Sequence, residues 1–223
     1  MNYCNYIDHT LLKADATEKD IKKLCKEAKD YEFFSVCINP CFVKYAKKCL
    51  KGSNVKVCTV IGFPLGANST KVKLFEAKRA IADGVDEIDV VMNIGKFKER
   101  KYNYVGKEIA KIVDLCNKKV LVKVIIETCY LTREEILSAC KLVYECGVDY
   151  VKTSTGYGTD GANIEDVRAM KEVCKDKLKI KASGGVRTLA QVEQFVLAGA
   201  ERIGTSSGVN IVNEGKEAEK EEK

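Results

Sequence analysis

Short apolar runs rich in β-branched residues alternate with longer helix-like segments along the 223 residues of this chain. Predicted strands span residues 5–8, 33–38, 55–61, 86–92, 121–127, 149–153, 179–183 and 201–205. Helical patterns occupy 17–30, 40–51, 68–82, 100–117, 132–146, 163–175, 188–199 and a segment from about 206. Strand–helix alternation with short links predicts a parallel sheet. Eight units of this length favour an α/β fold, a single (β/α)8 TIM barrel, with an open doubly wound sheet as the alternative.

Residues at the predicted helix ends support this map. Residues suited to an N-cap precede four helical patterns: Thr17, Asn68, Thr132 and Thr188. Thr132 and Glu135 have the spacing of a capping box. A glycine follows three predicted helix ends, where a left-handed residue is favoured: Gly84, Gly147 and Gly199.

Composition predicts one domain and restricts the kinds of partner. Apolar residues make up 46% of the chain, enough for a sizeable core over residues 1–213, whereas the charged residues 214–223 are predicted to form a mobile tail. The net charge of +6 is spread along the chain, which argues against a nucleic-acid-binding arm. A mild positive excess suits a small anionic substrate, although it is also what a lysine-rich proteome would give.

The eleven cysteines predict reduced thiols and a cytoplasmic protein. Their number is odd, their spacing is irregular and no C-x-x-C pair is present. Several lie inside apolar runs, where cysteine behaves as a small hydrophobic residue. The first residues lack the apolar stretch of a signal peptide, and no segment is long and apolar enough for a membrane span.

Several predicted strands carry polar residues at every second position. Glu87 and Asp89 alternate with apolar residues in the fourth strand, Lys123 in the fifth and Lys181 in the seventh. In a barrel, one face of a strand packs on helices and the other faces the interior. Because the apolar set must face the helices, we expect the polar set to point inward, where charges are costly unless they are paired or used.

Three inward residues are the candidate catalytic groups: Asp89, Lys152 and Lys181. Lys152 and Lys181 lie on neighbouring strands about 4.8 Å apart, so their ammonium groups should repel each other. At an effective dielectric of about 20 this repulsion is roughly 3 kcal/mol, enough to lower one lysine pKa by about 2 units. A neutral lysine amine can attack a carbonyl carbon and form a Schiff base. The alternative interpretation is a structural salt-bridge network.

Two glycine- and serine-rich loops favour a phosphate site. Residues 183–188 follow the seventh strand and residues 204–208 follow the eighth. In barrels of this class, phosphate is commonly held by these two loops and a short helix N-terminus. Two tight turns without a ligand are the alternative.

Other chemistries have weaker signals. Residues 156–161 match the G-x-G-x-x-G dinucleotide pattern, but they follow the sixth strand and no acidic residue ends the next one. His9 is the single histidine, so a histidine metal cluster is impossible, and we interpret His9 as structural. No metal or cofactor is expected.

Five segments resemble motifs of the deoxyribose-phosphate aldolase family. They lie at residues 7–12, 57–64, 87–95, 151–156 and 180–188. The resemblance runs in order from about residue 5 to about residue 210. The two lysine motifs, Val151-Lys152-Thr153-Ser154-Thr155-Gly156 and Ile180-Lys181-Ala182-Ser183-Gly184-Gly185, make it specific.

This resemblance implies a metal-independent class I aldolase that cleaves 2-deoxy-D-ribose 5-phosphate in deoxyribonucleoside catabolism. Lys152 would form the Schiff base, while Lys181 and Asp89 would relay protons and Lys181 would lower the pKa of Lys152. The phosphate would be held by Gly184, Gly185, Ser206 and Ser207. Thr155 and Gly156 would line the opening of the same active site. The implied partner is a small sugar phosphate, without nucleic acid or membrane. Dimers are common in the family, so a homodimer is compatible with the resemblance.

Two positions depart from the family pattern. Tyr157 stands where some members have lysine, and no tyrosine follows it, whereas some members end in a tyrosine that assists proton transfer. Three rival functions remain open: another Schiff-base aldolase or transaldolase, a nicotinamide oxidoreductase built on residues 156–161, and a catalytically silent barrel that binds sugar phosphates.

Overall fold

The structure is a computed structural model that describes the backbone of residues 3–221 and the side chains through residue 217. Eight parallel strands pair in chain order and close into a barrel. The strands are β1 (Ile7–Leu11), β2 (Ser35–Ile38), β3 (Lys56–Ile61), β4 (Glu87–Val91), β5 (Leu121–Ile125), β6 (Tyr150–Lys152), β7 (Lys179–Ser183) and β8 (Arg202–Thr205). The predicted (β/α)8 TIM barrel is therefore confirmed, and the open doubly wound sheet is wrong.

Helices surround the barrel in the order that the sequence predicts. Within the described residues they are α1 (Glu18–Asp30), α2 (Val43–Cys49), α3 (Thr70–Ala82), α4 (Ile94–Lys98), α5 (Tyr102–Cys116), α6 (Arg133–Glu145), α7 (Ile164–Cys174), α8 (Leu189–Leu197) and α9 (Gly208–Glu221). The apolar strand residues, such as Ile88, Val124 and Ile180, are fully buried in a core with the helices. This packing leaves the alternate positions of each strand to the barrel interior. No helix in residues 3–221 has the length and apolar character needed to cross a bilayer.

Most of the predicted helix caps are confirmed. Thr17, Thr132 and Thr188 each form a capping box at the start of α1, α6 and α8. The Asn68 prediction is wrong by one residue, because Ser69 adopts the extended N-cap conformation before α3. The three predicted C-terminal glycines all have positive φ: Gly84, Gly147 and Gly199.

Element boundaries differ from prediction where polar residues enter a strand or a turn precedes a helix. The first strand was expected at 5–8, but residues 3–6 form a 3-10 turn and β1 extends to Leu11. Its polar residues, Asp8, His9 and Thr10, hide the strand pattern. The short helix α4 lies between β4 and α5 and was not predicted. Helix α9 continues through Glu221, so the predicted boundary between barrel and tail at residue 213 lies within a helix. The mobility of 214–223 stays a prediction.

Candidate active site

Asp89 is the centre of a polar cluster inside the barrel. Its Oδ2 atom accepts hydrogen bonds from Lys152 Nζ and Lys181 Nζ, both at 2.8 Å. Its Oδ1 atom accepts from Lys123 Nζ at 3.0 Å and from Cys58 Sγ at 3.1 Å. Lys152 and Lys181 are register partners on β6 and β7, which explains why both reach the same carboxylate oxygen. The structure therefore brings the three predicted catalytic residues together.

A second set of charges supports this centre from the neighbouring strands. Asp8 Oδ2 lies 2.5 Å from Lys181 Nζ, and Asp8 Oδ1 lies 2.7 Å from Arg202 Nη1. Glu87 Oε2 accepts from Lys123 Nζ at 2.5 Å and lies 3.4 Å from Arg202 Nη1. The cluster thus extends across β1, β4, β5, β6, β7 and β8, and its charges are paired as buried charges must be.

The cluster keeps Asp89 and Lys181 ionised. Burial would raise the pKa of the Asp89 carboxyl, but Lys123, Lys152 and Lys181 outweigh burial and hold that pKa well below its ordinary value. Burial would lower the pKa of Lys181, but Asp8 and Asp89 outweigh it and hold this pKa above its ordinary value. At neutral pH, Asp89 is an anion and Lys181 is a cation. Within the described residues of the cluster, three lysines and one arginine face three carboxylates.

Lys152 differs from its neighbours because it reaches a cavity. Its exposed fraction is 3%, against 0% for Lys123 and Lys181. The cavity has a volume of about 230 Å³ and opens at the carboxyl ends of the strands. Barrels of this class carry their active sites at that end. A larger cavity of about 540 Å³ lies at the opposite end, near Asp86 and Lys118, but Lys152 does not line it.

The two glycine-rich loops form the wall of the same cavity. Gly184, Gly185 and Ser206 line it, and so do Thr155 and Gly156 from the loop after β6. Ser207 is not among its lining residues, and its N–H donates to Thr205 Oγ1 at 2.9 Å as the chain turns into α9. Five of the six predicted substrate-binding residues thus meet around Lys152. Their contacts with a phosphate stay a prediction.

The glycine pattern at 156–161 has a packing explanation. A Cβ atom at Gly161 would lie 2.2 Å from the Gly184 carbonyl oxygen, which no real side chain tolerates. The Ala162 N–H donates to that same oxygen at 2.9 Å. The loop after β6 therefore lies directly against the loop after β7, which requires glycine at 161. This close contact, rather than a pyrophosphate, accounts for the third glycine of the pattern.

Two members of the cluster are not among the residues predicted from the sequence. Asp8 and Arg202 are both buried in the cluster, yet neither was singled out from the sequence. The alternating pattern that identified Asp89 could also have identified Arg202, because Arg202 stands two positions before Gly204 on β8. In β1 the alternating pattern is obscured, because His9, next to Asp8, is also polar. His9 Nε2 lies 2.8 Å from Glu27 Oε2 on α1, and the residue is buried outside the cluster, as the structural interpretation expects.

One group of side chains has the geometry for a metal ion. Ligand atoms of Cys37, Cys58 and Asp89 lie within 4.8 Å of one another. The Asp89 carboxylate already accepts hydrogen bonds from three ammonium groups, however, and these disfavour a further cation. Cys58 also donates its thiol hydrogen to Asp89, and burial first of all raises the pKa of this thiol well above its ordinary value. These residues therefore fit lysine chemistry better than metal binding.

The comparisons with known proteins agree with this geometry. The family model described as "DeoC/LacD family aldolase" matches residues 3–214. The chain belongs to this family. The deoxyribose-phosphate aldolase of Finegoldia magna is 57% identical over 212 residues, covering 95% of this chain and 99% of that protein. Because DeoC/LacD proteins are aldolases, the chain is an enzyme that acts on carbon–carbon bonds.

Solved structures of DeoC/LacD-like proteins extend the similarity to three dimensions. One solved aldolase is 42% identical, with a TM-score of 0.92, and the match covers 96% of both chains. The deoxyribose phosphate aldolase of Aeropyrum pernix, described as a tetramer, is 35% identical with a TM-score of 0.88. That match covers 95% of this chain and 89% of the other. The resemblance inferred from the two lysine motifs is confirmed.

Proposed function

We propose that this aldolase reversibly cleaves 2-deoxy-D-ribose 5-phosphate to D-glyceraldehyde 3-phosphate and acetaldehyde through a Schiff base on Lys152. The observation that carries the proposal is the position of Lys152. It lines the cavity beside the glycine-rich loops while its Nζ atom lies 2.8 Å from Asp89. Lys123 and Lys181, the other lysines that contact Asp89, are fully buried and do not line this cavity. The relatives named deoxyribose-phosphate aldolase support the choice of substrate.

The proposed reaction begins at the C1 aldehyde of the open-chain sugar. The neutral amine of Lys152 attacks C1, and loss of water leaves an iminium ion. A base then removes the proton of the C3 hydroxyl, and the C2–C3 bonding electrons move toward the iminium nitrogen. D-Glyceraldehyde 3-phosphate leaves, and protonation at C2 followed by hydrolysis releases acetaldehyde and restores Lys152. Acetaldehyde has two carbons, so the bond that breaks must be C2–C3.

In the proposal, Asp89 and Lys181 transfer the protons of this reaction. Asp89 Oδ2 lies 2.8 Å from both nitrogens, so this oxygen offers a path for a proton between Lys152 and Lys181. Lys181 is a cation at neutral pH, and Asp89 is an anion. In the proposal, Asp89 accepts the proton that Lys152 releases, and Lys181 and a water complete the relay.

Borohydride trapping tests the covalent step. The protein is incubated with 2-deoxyribose 5-phosphate, reduced, digested and mapped by mass spectrometry. We expect a reduced adduct on Lys152 and none on Lys181, and a much weaker adduct with unphosphorylated deoxyribose. The matched variant Lys152→Arg keeps the positive charge near Asp89 but cannot form an imine. It should remain folded by circular dichroism while losing turnover by at least 10⁴-fold, a large share of what covalent catalysis supplies. Substantial activity in Lys152→Arg would exclude Lys152 as the nucleophile.

The cellular setting is part of the same proposal. We place the enzyme in the cytoplasm, in deoxyribonucleoside catabolism. The thiols support this placement, since no disulfide joins cysteines within residues 3–221 and many of these side chains are buried in the core. A homodimer is the proposed assembly, and the tetramer described for the Aeropyrum pernix protein is its alternative. Light scattering of the purified protein separates the two.

A further inference from the structure

The rim of the Lys152 cavity carries two more cations, on the loops after two strands that are separated by β8. Lys13 follows β1, and Arg187 lies in the loop between β7 and α8. Within the described residues, neither side chain has an ion pair or hydrogen-bond partner. No aspartate or glutamate is found among the described residues that line this cavity. Lys152 at the base of the cavity is paired with Asp89, whereas the two rim cations have no ion-pair partner in the described part of the chain and are free to meet an anion. Lys13 also borders a neighbouring cavity that is lined by Asp15, Asp20 and Glu27.

We infer that Lys13 is a further substrate-binding residue, which contacts the phosphate of the substrate, and that Tyr157 positions it. The inference rests on the proposed function, because it assigns the charge that the sugar phosphate would meet. A phosphate dianion needs positive charge in addition to backbone N–H groups, and a lysine supplies it as a mobile point charge. Arg187 belongs to the glycine-rich loop after β7, whereas Lys13 lies in the separate loop after β1.

The backbone around Lys13 is fixed by three hydrogen bonds. Asn39 Nδ2 and the Ala16 N–H donate to the Lys13 carbonyl oxygen at 3.1 and 3.3 Å. Tyr157 donates its hydroxyl hydrogen to the Leu12 carbonyl oxygen at 2.8 Å. The exposed Lys13 side chain, which has no partner among the described residues, thus extends from a backbone that hydrogen bonds hold beside the cavity. Such preorganisation lowers the entropy lost on binding.

Tyr157 is itself held at both ends. Its N–H donates to Thr155 Oγ1 at 3.0 Å, in the loop that follows Lys152. Its ring packs edge-on against Phe63, with 5.3 Å between ring centroids. Tyr157 also lines the cavity. It therefore links the loop after β6 to the loop after β1 and holds Leu12 and Lys13 at a set distance across the mouth.

Substrate pairs with and without phosphate test this assignment. We expect Lys13→Met to lower the ratio of kcat/KM for 2-deoxyribose 5-phosphate to that for 2-deoxyribose by about tenfold, mainly through KM. The inhibition constant of inorganic phosphate should rise by a similar factor. Lys13→Arg should retain most of the ratio. The matched control is Lys51→Met, since Lys51 is equally exposed but lies in the turn before β3, at the opposite end of the barrel, and should change nothing.

Tyr157→Phe tests the positioning role separately. It keeps the ring against Phe63 but loses the hydrogen bond to the Leu12 carbonyl oxygen. We expect a threefold rise in KM for the phosphorylated substrate, about a third of the Lys13→Met effect, and no further rise when the change is added to Lys13→Met. An added rise in the double variant would overturn the positioning role.

The wild-type enzyme separates failure of this inference from failure of the proposed function. If wild type prefers the phosphorylated sugar but Lys13→Met keeps both the preference and the phosphate inhibition constant, Lys13 is not a phosphate ligand. If wild type does not distinguish the two sugars, the phosphate site of the proposed function fails, and the role of Lys13 fails with it.

Discussion

Replacing Asp8 by asparagine should destabilise the fold strongly. Asp8 has no exposed surface, and its two oxygens contact Lys181 Nζ at 2.5 Å and Arg202 Nη1 at 2.7 Å. Ser35 Oγ also donates to Asp8 Oδ1 at 2.7 Å. Asparagine has nearly the same shape, so the substitution removes the negative charge with little change in packing. It leaves two buried cations with one carboxylate fewer.

The size of the expected destabilisation follows from the ion-pair partners that Lys181 and Arg202 retain. At an effective dielectric of about 20, each contact with Asp8 corresponds to roughly 6–7 kcal/mol of gross attraction. Lys181 still contacts Asp89 at 2.8 Å, and Arg202 still lies 3.4 Å from Glu87. Removal of one partner from a buried ion pair typically costs about 3–5 kcal/mol. We therefore expect Asp8→Asn to lower the free energy of unfolding by about 4 kcal/mol and Tm by roughly 8–16 °C.

The assay is thermal or urea unfolding at pH 7, followed by circular dichroism. The matched control is Asp176→Asn, because Asp176 is fully exposed and makes a 3.4 Å ion pair with Lys171 at the surface. That control should change stability by less than about 0.5 kcal/mol. Equal unfolding midpoints for the two variants would refute the claim that the internal charges are needed for the fold.

The pH dependence of the same variant gives a second check. Burial would raise the pKa of Asp8, but Arg202, Lys181 and Lys123 outweigh burial and hold it below its ordinary value. A lowered pKa in the folded state gives stability that is complete above the unfolded-state pKa, about 3.9, and is lost as the pH falls below it. The difference in stability between wild type and Asp8→Asn should therefore be constant from pH 7 down to about pH 5. It should shrink below pH 4.

Three other predictions concern catalysis, a helix cap and a loop contact. Lys181→Leu should lower turnover by at least about 100-fold and move the acid limb of the pH–rate profile to higher pH; an unchanged profile would exclude the coupling to the nucleophile. Thr132→Ala should lower the free energy of unfolding by about 1 kcal/mol in urea titrations, because it removes the capping box of α6. Gly161→Ala should cost about 1–3 kcal/mol and raise KM for the sugar phosphate, since its Cβ would displace Gly184. Gly95→Ala, which meets nothing closer than 3.8 Å, is its control and should leave KM unchanged.

The fold was predictable because two periodicities agree along the chain. Apolar positions at a period of two in β4 and β7, separated by capped helices, allow few architectures other than a barrel. Asp89 and Lys181 were identified by the same alternation, since an ionisable residue in an otherwise apolar strand needs a partner or a use. Neighbouring strands then placed Lys152 beside Lys181. These inferences depend only on strand geometry, which the sequence pattern specifies well.

The rest of the site depends on contacts that local patterns do not encode. Asp8 was missed because β1 carries polar residues on both faces. The sequence pattern therefore does not show which residues of β1 point into the barrel. Ser207 does not line the cavity, because the chain turns into α9 at that point, and its contact with a phosphate stays a prediction. The hydrogen bond between Tyr157 and the Leu12 carbonyl oxygen joins positions 145 residues apart. Each case is decided by where a backbone turns in three dimensions.

The ion pair between Asp8 and Arg202 joins residues 194 positions apart, on the first and last strands of the barrel. During synthesis, Asp8 leaves the ribosome long before Arg202 has been added to the chain. Until β8 pairs with β1 and β7, Asp8 lacks one of its three cations, and Glu87 lacks the same guanidinium. The interior charges can be neutralised only when the two ends of the chain meet, and pairing over such sequence distances is a slow step in folding. We therefore expect catalytic activity only after the last strand has been translated and the barrel has closed. A shorter fragment of the barrel should be inactive.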